Sequence, residues 1–121
     1  MTEFEILWRF VFEAKGQSTA QDAAGRVADL LGISDLPPVA PYKEPNWWMT
    51  DLVVEASDAT LPALFGRLLA LSGRLANEWS VHGLAGLDTG ESCFAVYNVG
   101  ERNLPAVDGL RWALVEAWPK G

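Results

Sequence analysis

The most constraining feature of the chain is a regular alternation of apolar and other side chains close to its start. The apolar positions are Phe4, Ile6, Trp8, Phe10 and Phe12. Successive side chains of a β-strand point to opposite faces, so this pattern predicts a strand over Phe4–Glu13 with one strongly apolar face. Other elements must cover that face, and half of the 121 residues are apolar. We therefore expect one domain, residues 1–121, with one core.

The segment after this strand predicts a short helix followed by a stiff loop. Ser18 and Gln21 fit a capping box, and Gly32 fits the left-handed residue that often ends a helix. Apolar residues recur at helical spacing between these points. Four prolines then fall between Ser34 and Asn46. Prolines lack the backbone donor and restrict the chain, so they predict a rigid surface loop.

A second strand and a longer helix follow the loop. Trp47–Ala56 alternates between an apolar face and a face that mixes aromatic and acidic side chains. Thr60 and Pro62 suit the N-cap and the first turn of a helix, whose apolar stripe covers residues 61–79. Gly66 belongs to a strip of small residues beside that stripe, which predicts the close approach of another backbone.

The last third of the chain predicts three more strands. These are Trp79–Leu84, for which a last helical turn is the alternative, then Cys93–Val99 and Leu110–Trp118. In the last strand Trp112 and Trp118 fall on the predicted core face. The order β-α-β-α-β-β-β indicates an α+β fold, a two-layer sandwich with a mixed sheet and both helices on one face, ferredoxin-like in outline.

The charge of the chain limits its partners. Sixteen acidic against nine basic residues give a net charge of −7, so direct binding to nucleic acid or to an anionic membrane is disfavoured. No segment predicts an export signal or a membrane span. Cys93 is the only cysteine, which excludes an internal disulfide and a multi-cysteine metal site. We expect a cytoplasmic protein.

The sequence carries no motif for a cofactor or a metal, and none is expected. Asp88-Thr89-Gly90 matches the turn of aspartic proteases, but those enzymes use two such aspartates and this chain has one such turn. Asp88 is therefore expected to shape a turn. A hairpin centred on Leu87 and Asp88 would place His82 opposite Cys93, which would suit a nucleophile and its base. A buried structural cysteine is the simpler interpretation.

The second strand offers a binding surface instead. Adjacent strand residues point to opposite faces, so either Trp47 or Trp48 must leave the core face. Acidic residues of the first two strands would share the open side of the sheet if these strands pair. An equally simple interpretation is that these charges only solvate an exposed sheet. The candidate partner-binding residues are Tyr42, Trp47, Asp51, Glu55, Asp88 and Glu91.

In size, acidity and aromatic content, with Asp51, Glu55 and the Trp47-Trp48 pair as its residues, the chain resembles the immunity proteins that neutralise bacterial toxins. That resemblance implies a non-enzymatic inhibitor that binds a basic protein, such as a nuclease, and covers its active site. Carboxylates would steer the toxin and an exposed tryptophan would anchor it. The alternatives are a small ligand-binding or catalytic α+β domain, and a homodimer built on the open sheet.

Overall fold

The computed structural model describes residues 1–121 as an α+β fold, with three helices and one six-stranded antiparallel sheet. The strands are β1 (Thr2–Glu13), β2 (Ala40–Tyr42), β3 (Glu44–Asp58), β4 (Ser80–His82), β5 (Cys93–Asn98) and β6 (Leu110–Pro119). The helices are α1 (Gln17–Leu31), α2 (Leu61–Ser72) and α3 (Leu84–Thr89). Across the sheet the strands follow the order β2-β3-β1-β6-β5-β4.

The alternation in β1 is confirmed and forms the centre of the core. Ile6, Trp8 and Phe10 are at most 3 % exposed, and the rings of Trp8 and Phe10 stack with centroids 6.0 Å apart. β1 pairs with β3 on one side and with β6 on the other. The apolar stripes of α1 and α2 join the same cluster of 27 buried residues, so both helices cover one face of the sheet.

The predicted helix ends are partly correct. Gly32 ends α1 in the left-handed conformation, with φ 67°, and the Thr60 hydroxyl accepts a hydrogen bond from the Ala63 amide at 3.2 Å. The capping box at Ser18 is wrong. The helix already begins at Gln17, after the extended residue Gly16, and no side chain caps it. No helix combines the length and apolar composition needed to cross a membrane.

The predicted mixed sheet is also wrong, because every neighbouring pair of strands is antiparallel. The predicted order lacks β2, a three-residue edge strand that pairs Pro41 with Trp48. An edge strand tolerates proline because its outer donors need no partner. β2 is parallel to β1 but separated from it by β3. This split arrangement is compatible with a ferredoxin-like outline and with two layers.

The region between α2 and β5 differs most from expectation. α2 ends at Ser72 instead of extending to Trp79, whose indole donates to the Ser72 carbonyl at 3.0 Å. The predicted strand over Trp79–Leu84 is present as the shorter β4. The Asp-Thr-Gly segment is no hairpin turn. It forms the end of α3, which Gly90 closes with φ 75°.

Two glycines should respond in opposite ways to alanine. At Gly66 a Cβ would meet no atom within 4 Å, so the predicted close approach is wrong there, and Gly66→Ala should raise the free energy of unfolding by about 0.5–1 kcal/mol. At Gly86 a Cβ would overlap the backbone oxygen of Ser92, so Gly86→Ala should lower it by about 1–3 kcal/mol. Urea unfolding of both variants measures this. Equal changes in the free energy of unfolding of the two variants would contradict the close approach of the Ser92 backbone to Gly86.

Candidate functional site

The face of the sheet opposite the helices is covered by no other element. We call it the open face. Antiparallel partners share a face, so the pairing of the strands assigns its residues. They are Glu3, Glu5, Leu7, Arg9, Val11 and Glu13 of β1; Ala40 of β2; Trp47, Met49, Asp51, Val53, Glu55 and Ser57 of β3; Trp112, Leu114, Glu116 and Trp118 of β6; Phe94, Val96 and Asn98 of β5; and Ser80 and His82 of β4.

The open face is much more apolar than expected, because β6 presents its larger side chains there. Ala113, Val115 and Ala117 are fully buried beneath the helices, whereas Trp112 and Trp118 are half-buried on the open side. The prediction that both tryptophans belong to the core is therefore wrong. Pairing with β1 supplies the signal that was missing from the sequence, since it sets Ala113 beside Phe10 and Trp112 beside Val11.

The two acids predicted on β3 do lie on the open face, but each has its own cation. Arg9 donates two hydrogen bonds to Asp51, at 2.7 and 2.9 Å, and this carboxylate raises the pKa of Arg9. The Lys120 ammonium contacts Glu55 at 2.6 Å. Both side chains stay partly exposed, at 36 % for Asp51 and 60 % for Glu55. The acidic face predicted around Asp51 and Glu55 is thus partly neutralised by Arg9 and Lys120, and the role of these two acids in binding a partner stays a prediction.

Two half-buried carboxylates on the same face have no such partner. Glu5 and Glu116 are half-buried and form no ion pair within 4 Å. Glu5 lies between Glu55 on β3 and Trp118 on β6, while Glu116 lies beside apolar neighbours on β1 and β5. Like charges directly opposite each other destabilise a sheet. Glu5 and Glu55 therefore repel each other, and Lys120, which contacts Glu55, neutralises only part of their charge.

The opposite end of the open face holds a cleft of about 480 Å³. We call it the aromatic cleft. It is lined by Val11, Tyr42, Lys43, Trp47, Asn98, Val99, Arg111 and Trp112. Two predicted binding residues, Tyr42 and Trp47, thus come together here. Trp48 lies on the core side, where its indole donates to the Ala14 carbonyl at 3.1 Å. The prediction that one of these adjacent tryptophans leaves the core face is confirmed.

The remaining predicted residues lie elsewhere. Asp88 is in α3, which contacts α2, and it lines a shallow depression that includes Phe4 and Leu61. Glu91 follows in the turn to β5, where its amide donates to the Gly86 carbonyl. Neither belongs to the open face. The structure therefore separates these two acids from Tyr42, Trp47, Asp51 and Glu55.

The predicted pairing of His82 with Cys93 is wrong. His82 is opposite Phe94, and the two rings stack with centroids 5.0 Å apart. Cys93 points to the core and is 1 % exposed. The connection between the strands contains α3 instead of a tight hairpin, which shifts the register by one residue and so changes the face. No three His, Cys, Asp or Glu side chains are grouped to hold a metal ion.

The Cys93 thiol should be inert in the folded protein. Burial, followed by the nearby charge of Glu116, raises its pKa to about 11. At pH 8 only about one thiol in a thousand is then ionised, and the thiolate is the reactive form. We expect no reaction with a disulfide reagent at pH 8 in buffer and rapid reaction in denaturant, followed by absorbance. Rapid modification of the native protein would contradict the buried placement.

Comparison of the chain with protein-family models, with curated proteins and with solved structures found no match.

Proposed function

We propose that the chain is a protein-binding module and that its open face holds a protein partner with cationic side chains. The observation that carries the proposal is the placement of Glu5 and Glu116, two half-buried carboxylates without a direct ion pair, among exposed and half-buried apolar residues. A carboxylate of this kind becomes more costly to leave unpaired when a partner removes its water. A partner that supplies lysine or arginine can cover the face and offset this cost.

The apolar part of the open face would supply most of the affinity. Val53 is 53 % exposed, and the half-buried Leu7 lies opposite it on β1. Leu114 is also half-buried and lies opposite Arg9 of the Arg9–Asp51 pair. Burial of such surface contributes about 25 cal/mol per Å². The net charge of −7 adds long-range attraction for a basic protein and raises the association rate. Apolar contact and charge thus favour the same class of partner.

The specific form that we propose is an immunity protein, acting in the cytoplasm, that inhibits a basic bacterial toxin. The inhibitor would cover the active cleft of the toxin with the open face. Trp47 and Tyr42 would contact the toxin at one end of the face, and Glu5 and Glu116 would pair with its lysines or arginines elsewhere. Aromatic side chains are common anchors of such interfaces. No catalytic group is needed for this activity.

The direct test is expression of the protein encoded by the neighbouring gene, with and without this chain. We expect the neighbour to be basic and toxic alone, harmless on co-expression, and bound to this chain in a purified complex. If the protein encoded by the neighbouring gene is neither toxic nor bound, the proposal that this chain is an immunity protein is wrong. Sedimentation of the chain alone adds a second test. A homodimer that Val53→Asp converts to monomer would show that a second copy covers the open face instead.

Reversal of the unpaired charges should weaken the complex selectively. We expect Glu5→Lys with Glu116→Lys to lower the association rate with the neighbouring protein at least tenfold at low salt, since both groups would then repel its cations. The effect should shrink near ~0.5 M salt, where the screening length is only a few ångströms. Stopped-flow mixing of the purified proteins measures the association rate at low and at high salt.

The matched control carries the same change of net charge on the helix side. Asp22 and Asp29 are exposed on α1, so Asp22→Lys with Asp29→Lys alters the global charge and leaves the open face intact. We expect the control to slow association by no more than about threefold. If the two double variants slowed it equally, the partner would be responding to net charge alone and the assignment of the open face would be wrong.

A further inference from the structure

The aromatic cleft has the composition of a binding site in its own right. The rings of Tyr42, Trp47 and Trp112 line it, and Val11 is only 2 % exposed although no helix covers this face. Neighbouring side chains therefore already shield part of the cleft from water. Aromatic walls of this kind favour a flat ring, which can stack or pack edge to face against them.

The charges of the cleft have the opposite sign to the protein as a whole. Its polar residues are Lys43, Arg111 and Asn98, although the chain has nine basic residues against sixteen acidic ones. Lys43 has no carboxylate within 4 Å, and its ammonium lies 5.0 Å from the centroid of the Tyr42 ring. Arg111 has only a long contact with Glu13, at 3.6 Å. Both cations can therefore accept an anion.

The backbone holds these groups in place at some cost. Lys43 and Asn46 adopt left-handed conformations, with φ 56° and 67°; asparagine tolerates this conformation, whereas lysine rarely adopts it. The Ala14 amide donates to the Asn46 carbonyl at 2.8 Å and so ties the turn to the end of β1. Strained residues of this kind persist where the surrounding structure fixes them, and they are frequent at ligand sites.

We propose that the aromatic cleft binds a small planar aromatic carboxylate, with its ring between the aromatic side chains and its carboxylate at Lys43 and Arg111. A charge-assisted, two-pronged contact with a guanidinium suits a carboxylate well. The site shares Tyr42 and Trp47 with the proposed protein interface, but it does not use Glu5 or Glu116, so its binding of a small ligand can be tested without the protein partner.

The test uses 2-naphthoate as the probe, with 2-naphthamide as its neutral analogue. Binding is followed by the indole N–H signals of the 15N-labelled protein, assigned with Trp47→Phe and Trp112→Phe. We expect 2-naphthoate to shift these two signals with a Kd of about 1 mM or tighter, and 2-naphthamide to bind about tenfold more weakly. Equal binding of the two probes, or shifts confined to the other four tryptophans, would overturn the proposal.

Charge variants provide the second arm. Lys43→Met and Arg111→Met should each weaken 2-naphthoate about threefold to tenfold, whereas Lys15→Met and Arg26→Met, at exposed positions outside the cleft, should leave the Kd unchanged. Glu13→Gln should tighten binding about twofold to threefold, since the carboxylate that contacts Arg111 competes with the ligand. Weaker binding by Glu13→Gln, or equal effects of cleft and control variants, would contradict the assigned charges.

The two proposals can fail separately. Glu5→Lys with Glu116→Lys should leave the Kd for 2-naphthoate within about twofold, because the added charges lie near the far end of the strands and are screened. A loss of 2-naphthoate binding in that variant would show that the cleft depends on the rest of the face and overturn the independent site. Loss of the protein partner alone leaves the site intact.

Discussion

The structure depends on β1, whose side chains build the core on one face of the sheet and line the open face on the other. Its even-numbered side chains form an apolar stripe beneath the helices, in which the Phe10 ring stacks on Trp8 and packs at a tilt against Phe12. The loss of one such ring typically costs 3–5 kcal/mol. Its odd-numbered side chains face away from the helices and can only be covered by their neighbours or by another molecule. The open face is thus the unavoidable reverse of the strand that builds the core.

The ion pair between Arg9 and Asp51 joins these two roles. It lies in the middle of the open face and connects β1 to β3 by two hydrogen bonds. A slip of one residue between these strands would move every side chain to the wrong face, and it would also separate the guanidinium from the carboxylate. Exposed pairs contribute at most about 1 kcal/mol, so the pair serves register more than overall stability. The same contact partly neutralises the charge that Asp51 presents to a partner.

The orientation of a strand could be predicted from the sequence where the polarity of neighbouring residues decides it. It could not be predicted where the volumes of side chains on paired strands decide it. The stripe of β1 can be read directly because its two faces differ in polarity. In β6 both faces carry mostly apolar residues, and hydrophobicity alone assigns Trp112 and Leu114 to the core. The core side opposite is already filled by the large rings of β1, so Ala113 and Ala117 fit there. Interdigitation of large with small residues decided the orientation, and that requires knowledge of the pairing.

Other parts of the site were out of reach for related reasons. Tyr42 and Trp47 were identified because a proline-rich loop and an aromatic pair are visible in the sequence, but the cleft also needs Arg111 and Trp112, which are distant in the chain. The short strand β2 shows no alternation within three residues. Likewise, the pairing of Asp51 with Arg9 spans 42 positions. Composition gave the sign of the net charge, whereas only the register shows which carboxylates have cations.

The open face therefore has two chemically different ends. Glu5 and Val11 are six residues apart on β1, which corresponds to about 20 Å along a strand. A typical protein interface of about 800 Å² per partner covers that distance, so one protein could contact both the unpaired carboxylates and the aromatic cleft. A small aromatic carboxylate reaches only the cleft. A partner that spans the face must then present cations to Glu5 and either an aromatic or an acidic group to Lys43, which fixes the direction in which it lies across the strands.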